Sequence, residues 1–226
     1  MKIVKCDQGS EQWLVARRGI PTASEFHNIV TPAKLEPSKA ADKYLARCLV
    51  ETFFPPPPGV EGDAPTSGLM HRGTVMEDEA RRTYAFEFDG DVQTVGFCLR
   101  DDGRAGASPD ALIDDDGLLE IKCKGAEAHM LALLDNGAGA LADHRLQVQG
   151  ELWVTGRAWA ALYLFHPDLP TIRHVVRPDP AVLAAFDEHI PAFCDRLDAA
   201  KARLLDLGCL LPGQEAAAEP LVSFSW

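Results

Sequence analysis

The chain has 226 residues, 46% hydrophobic and 25% charged, the balance of one globular domain able to bury a sizeable core. Its formal net charge of −12 excludes a protein that coats nucleic acid through its overall field, and six cysteines without Cys-x-x-Cys spacing argue against a zinc or iron–sulfur centre and for free thiols. No apolar run has the length of a membrane span and Met1 to Trp13 lack a secretory apolar segment, so a cytoplasmic protein without a membrane partner is expected.

Ser10 is placed to cap a short helix carrying Trp13, Leu14 and Arg17, which Gly19 ends. Thr22-Ala23-Ser24-Glu25 looks like a second cap, opening a helix with Phe26, Ile29 and Val30. Hydroxyls and N–H groups at that break, next to Arg17-Arg18, make either a seat for a phosphate or a plain helix-loop-helix with solvated arginines. Ala40 to Phe54 predicts a helix with a core stripe of Tyr44, Leu45, Cys48, Leu49 and Thr52, and Pro55 to Gly68 an extended loop. Leu69 to Phe86 predicts a further helix with Met76, Ala80, Thr83 and Tyr84 on its buried side and Asp78, Arg81 and Arg82 on its wet side. Glu77 is either a dipole partner near the helix start or a third inward-facing carboxylate.

Gly90 to Leu99 alternates like a strand and is expected to complete a meander with two more strands, Ser108 to Ile113 and Leu118 to Lys124, joined by the polar turn Asp114 to Gly117. In the last of these, alternation puts Glu120, Lys122 and Lys124 on one face and Leu119, Ile121 and Cys123 on the other, a half-buried strand with a charged face. Pairing across the turn brings Asp110 close to Glu120. Two adjacent carboxylates repel unless a cation lies between them, and hard oxygen ligands suit Mg²⁺ or Mn²⁺. Lys122, on the side of Glu120, is positioned to orient a water or neutralise a phosphate. The plainer alternative is that Glu120 and Lys122 are the solvated face of a strand.

Further on, His129 to Leu134 is a short apolar helical segment and Asn136 to Gly139 a flexible break. The helix from Asp143 directs Leu146, Gly150 and Trp153 one way, with Gln147 and Gln149 flanking them. Ala158 to Phe165 reads as a buried strand with Thr171 to Val176 as its partner. Pro180 to Leu207 is a long amphipathic helix, interrupted near Pro191, that buries Leu183, Phe186, Ile190, Phe193, Leu197 and Leu204. The end, Leu221 to Trp226, is an apolar tail that docks on a partner or covers its own core.

Taken together, Trp-x-x-x-Arg-x-Gly-x-x-Thr-Ala-Ser at Trp13 to Ser24, Arg-Gly-x-x-x-Glu at Arg72 to Glu77, Ser-Pro-Asp at Ser108 to Asp110, Leu-Glu-Ile-Lys-Cys at Leu119 to Cys123, and Gln-Val-Gln with Trp-Val-Thr at Gln147 to Thr155 are a specific set. On these the chain, from about Gly9 to Leu205, resembles the phage lambda-type exonucleases, the YqaJ-type viral recombinases of the PD-(D/E)xK nuclease superfamily. The resemblance implies an α/β fold with a restriction-endonuclease-like core, a mixed central sheet flanked by helices. It implies a single nuclease domain over residues 1–211 and a tail over 212–226. The implied activity is Mg²⁺-dependent 5′→3′ exonucleolysis of linear double-stranded DNA, with Mn²⁺ as a substitute, leaving 3′ single strands for annealing. Asp110, Glu120, the Ile121 carbonyl and Glu77 match the metal-holding positions, Lys122 the catalytic lysine, and Gln147 a glutamine that places substrate or water. Arg17, Thr22 and Ser24 match the pocket for the 5′-terminal phosphate, with Trp13 beside them. A ring-shaped homotrimer and a single-strand annealing protein are the implied assembly and companion. His144 and His71 depart from the family pattern, each standing where an aromatic residue is frequent. Other readings are a related endonuclease or a DNA-end-binding protein without catalysis.

Overall fold

The computed structural model describes residues 1–55 and 68–214, with the backbone alone at 68–75. The proline-rich stretch from Pro56, the side chains of His71 and Arg72 and the tail from residue 215 therefore lie outside the described residues.

The polar turn forms as expected. β5 (Ala111–Ile113) and β6 (Gly117–Cys123) pair antiparallel around Asp114 to Asp116, with Ala111 opposite Leu119 and Ile113 opposite Gly117. Arg157 clamps this hairpin from outside, its guanidinium donating to the carbonyls of Ile113, Asp114 and Gly117. Beside β6 runs β7 (Trp159–Phe165), parallel to it, and β8 (Ile172–Val176) pairs antiparallel with β7. β2 (Val92–Gln93) borders β5, giving a mixed five-stranded sheet in the order β2-β5-β6-β7-β8. The parallel pair requires a crossover, supplied by α4 (Ala126–Leu134), α5 (Ala138–Asp143) and α6 (Arg145–Thr155).

Both faces of this sheet are covered. Leu112, Leu118, Ala160, Leu162 and Leu164 belong to the larger core, shared with α2 (Ala41–Phe53), α6 and α7 (Pro180–Asp206). Ala111, Ile113, Leu119, Ile121, Tyr163 and Phe165 pack on the other side against Ala80 and Tyr84 of α3 (Gly68–Phe88). β6 is thus a central strand, and its charged face is buried at Glu120, 3% exposed, and half-buried at Lys122 and Lys124. From Gly117 to Ile121 its neighbours β5 and β7 and the helices on either side exclude water on both faces.

Other boundaries differ from the sequence reading. Gly90 to Leu99 is not one meander strand: β2 joins the large sheet, while β3 (Phe97–Leu99) lies between β1 (Lys2–Val4) and β4 (Gly106–Ala107) in a separate three-stranded sheet. Gly96 lies at the division, where it lets the chain pass close to the N-terminal segment: a Cβ there would lie 2.4 Å from the Cys6 carbonyl oxygen. The expected break at Asn136 to Gly139 is half helix, because Gly137 takes a left-handed conformation (φ 73°) and opens α5 directly. α7 runs through Pro191 without interruption. The helical packing of Phe186, Ile190, Phe193 and Leu197 in the core outweighs the one backbone hydrogen bond that proline removes. Ser10 caps α1 (Glu11–Arg17) as predicted, accepting from the Trp13 N–H. All six cysteines are free thiols, and no helix among the described residues is long and apolar enough to cross a membrane.

Candidate active site

Polar side chains gather at the C-terminal half of β6. Continuing the β5–β6 register by one residue sets Asp110 opposite Glu120, and the Asp110 carboxylate accepts a hydrogen bond from the Ile121 N–H at 2.5 Å. Lys122, two residues beyond Glu120 and on the same side, brings its ammonium to 2.6 Å from Glu120 Oε1. α6 crosses this face and supplies Gln147, whose amide is held at both ends. Its Nε2 donates to Glu120 Oε1 at 2.6 Å and to Glu151 Oε1 at 3.1 Å, and its Oε1 accepts from Lys122 Nζ at 3.2 Å.

The electrostatics follow from crowding acids in a dry place. Burial, and then the charge of Glu120, raise the Asp110 carboxyl well above its usual range; the Ile121 N–H offsets part of this. Burial raises Glu77 as well, with Arg81 pulling down and Glu120 pushing up, which puts Glu77 on α3 within the field of the same cluster. The Cys123 thiol is pushed up to about 12 by burial and by the Glu77 and Asp110 carboxylates. Lys122 is disfavoured as a cation by burial, yet Glu120 more than compensates and its pKa rises. His144, just before α6, is lowered by burial and by the nearby Lys122 ammonium.

Among the described residues no three side chains of Asp, Glu, His or Cys converge as a ready-made cage for an ion. Glu120 Oε1 is instead occupied by Lys122 and Gln147, so the lysine serves as internal counterion to the strand's own carboxylate. The donor set nevertheless fits a hard divalent cation: the buried Glu120 carboxylate and the half-buried Asp110 carboxyl, which burial and then the Glu120 charge raise, stand on adjacent strands with the Ile121 carbonyl next to them.

The N-terminal notch is joined to this cluster through the Ser-Pro-Asp segment. Trp13 Nε1 donates to Ser108 Oγ at 2.8 Å, and the Arg17 guanidinium lies over the Trp13 ring, 4.2 Å from its centroid. Thr22 does not open an α-helix: Ala23–Asn28 is a 3₁₀ helix, and neither Thr22 nor Ser24 makes a side-chain cap. The Thr22 N–H donates to the Tyr44 hydroxyl, so it is already used, while Thr22 Oγ1 and Ser24 Oγ are 3.4 Å apart. Thr22 is buried and Ser24 exposed. Gly150 on α6 makes the close approach of that 3₁₀ helix achievable, since a Cβ there would lie 2.8 Å from the Phe26 ring and 3.0 Å from Ala23 Cβ.

The sequence reading does not single out two residues that build the site. Gln8 donates from its amide to the carbonyls of Val95 and Pro109, both at 2.9 Å, and so fixes the residue before Asp110. Glu151, 1% exposed, stands one helical turn after Gln147. The i, i+4 spacing of Gln147 and Glu151 is visible in the sequence, but only the structure shows that this helix face is turned toward β6 rather than solvent.

A mixed sheet with helices on both faces and an Asp-Glu-Lys cluster on two adjacent strands defines a restriction-endonuclease-like α/β protein. More narrowly, the chain belongs to the YqaJ-like viral recombinase domain family, whose model matches residues 12–158. The sequence matches no curated protein. Among solved structures it is similar to LHK-Exo, an alkaline exonuclease from Laribacter hongkongensis. The complex of LHK-Exo with dAMP aligns at TM-score 0.74 and 26% identity, over 88% of this chain and 98% of that one. A second LHK-Exo structure gives 0.71 and 27% over the same shares. A phage-related exonuclease from Haemophilus somnus shares the fold at TM-score 0.58 and 13% identity, over 82% of this chain and 96% of that one.

Proposed function

We propose that the protein is a DNA nuclease, and specifically a Mg²⁺-dependent 5′→3′ exonuclease that digests one strand of a linear duplex and leaves a 3′ single strand. The observation that carries this reading is the convergence of Asp110, Glu120, Lys122 and Gln147 at one end of β6, in a family member that resembles alkaline exonucleases over most of its length. Asp110, Glu120 and the Ile121 carbonyl would hold the cation, with Glu77 contributing directly or through water. When bound, Mg²⁺ supplies positive charge that polarises the scissile phosphodiester and acidifies the attacking water.

The chain's own groups do the rest. Lys122 stands beside the carboxylates, where its ammonium neutralises charge growing on the phosphate. Gln147 orients Lys122 and Glu120 relative to each other through its two-ended amide. Arg17, spread on Trp13, grips the 5′-terminal phosphate with help from Thr22 and Ser24, so that an end is recognised without reading bases. With a net charge of −12, sustained contact with DNA depends on enclosure, for which a ring-shaped trimer is our reading, and not on a basic surface.

An end-labelled, 5′-phosphorylated duplex incubated with and without Mg²⁺ tests reaction, polarity and cofactor together. Release of nucleotides from the 5′ end only with Mg²⁺ is expected, as is survival of a covalently closed circle. Cutting of the circle would convert the assignment to an endonuclease, and no cutting of either would leave an end-binding protein.

A further inference from the structure

We propose that Glu151 is a positioning residue: it fixes the side-chain amide of Gln147 and, through it, the placement of Glu120 against Lys122. The inference rests on the nuclease reading for its kinetic consequence, but the clamp itself is a property of the folded chain. Gln147 has two amide protons, one directed at Glu120 Oε1 and the other at Glu151 Oε1, and its carbonyl oxygen faces the Lys122 ammonium. Turning the amide over would set its oxygen against the Glu120 carboxylate and its NH₂ against the Lys122 ammonium. With both acids present only one orientation is tolerated. Without Glu151 the amide keeps its bonds to Glu120 and from Lys122, but the second amide proton loses its partner in a half-buried site and the third anchor on a side chain with three rotatable bonds is gone.

Packing alone does not explain a glutamate here. Glu151 is 1% exposed, and its second oxygen, Oε2, has no hydrogen-bond partner. A buried carboxylate with an unsatisfied oxygen costs stability that an apolar side chain of similar length would not. What the carboxylate provides and a methionine does not is the acceptor for Gln147.

The test compares Glu151→Met, which keeps length and removes the acceptor, with Glu151→Gln, which keeps an acceptor. Kinetics on a 5′-phosphorylated duplex, per folded molecule, should show kcat about 10–100-fold lower for Glu151→Met with KM within about twofold, and Glu151→Gln within about threefold of the parent. In a Gln147→Ala background, Glu151→Met should add less than about twofold, since both act through one amide. The activity-independent readout is the Gln147 side-chain NH₂ signal by NMR, identified by its loss in Gln147→Ala. It should exchange slowly with solvent in the parent and in Glu151→Gln, and quickly in Glu151→Met. Parental kcat in Glu151→Met, multiplicative losses in the double variant, or an unchanged amide signal would each overturn the proposal. If the parent protein does not digest DNA, the nuclease reading fails and the amide exchange alone decides the clamp.

Discussion

At the end of β6, Glu120, Lys122, Gln147 and Glu151 hold one another in a closed set of hydrogen bonds. In the N-terminal notch, Arg17 rests on the Trp13 ring, and among the described residues no carboxylate neutralises it. The first region is anchored on a central strand and a buried helix, so its groups are fixed before any substrate arrives. The second sits at the end of a seven-residue helix with its cation left over for an outside anion. On the proposed function, chemistry repeated at every nucleotide would rest on rigid elements, and recognition of a chain end on a side chain that still has an unmet charge.

Removing charge from each region in turn separates their contributions. Asp110→Ala, Glu120→Ala and Lys122→Ala should each lower digestion of linear duplex by about 10³-fold or more while binding to DNA ends persists, because each removes part of the electrostatic stabilisation itself. Near-parental Mg²⁺-dependent rates in any of the three would remove the β6 cluster from the reaction. Arg17→Ala should act differently, with parental kcat on a 5′-hydroxyl end but loss of the preference for a 5′-phosphate, a change on the order of tenfold in kcat/KM. A retained preference would assign the phosphate to another cation and leave the notch a structural corner.

The two regions also differ in how far the sequence alone describes them. The alternation Leu119 to Lys124 and the turn at Asp114 to Gly117 specify β6 and its register, which places Asp110 opposite Glu120. Alternation cannot report how deeply a strand is buried: Glu120 on a rim strand and Glu120 on a central strand are written with the same residues, and the covering helices come from far along the chain. Gln147 is identified through a motif, whereas Glu151 escapes notice because only the fold turns its face of α6 toward β6. At the notch the limits are local ones. Thr22 and Ser24 have the residue types of a cap, but the segment is a 3₁₀ helix packed close on α6, where Gly150 leaves room for Phe26 and Ala23. Pro191 misleads for a similar reason, since the core contacts that carry α7 past it are tertiary.

Packing at the seam between the regions gives a smaller and more structural test. Gly150→Ala would favour the helix by about 1 kcal/mol on propensity alone, yet its Cβ would meet the Phe26 ring at 2.8 Å. We expect net destabilisation, read as a Tm several degrees lower, with the 5′-phosphate preference reduced more than kcat because the 3₁₀ helix carrying Ser24 is what must move. A raised Tm would mean that the 3₁₀ helix yields without cost and that its position is not held by α6.

The smallest effect probes the repulsion inside the β6 cluster without disturbing its geometry. Asp110→Asn keeps an oxygen to accept from the Ile121 N–H and removes one negative charge. Asp110 in the folded chain has a pKa raised well above its ordinary 3.8. Between the unfolded and folded values the native state therefore holds more protons than the unfolded state, and stability contributed at this site falls as pH rises through that window. Above it the penalty is complete. In metal-free protein at pH 8, Asp110→Asn should accordingly melt about 2–4 °C higher than the parent, the shift that corresponds to roughly 1 kcal/mol in a chain of this size. The difference should shrink as pH is lowered toward 4. Added Mg²⁺ should reverse the order, since it stabilises by binding the native state and a neutral amide in place of the Asp110 carboxylate is a poorer ligand. A parent that melts higher than Asp110→Asn without metal would mean that Lys122 already neutralises both acids, leaving no repulsion for a cation to relieve.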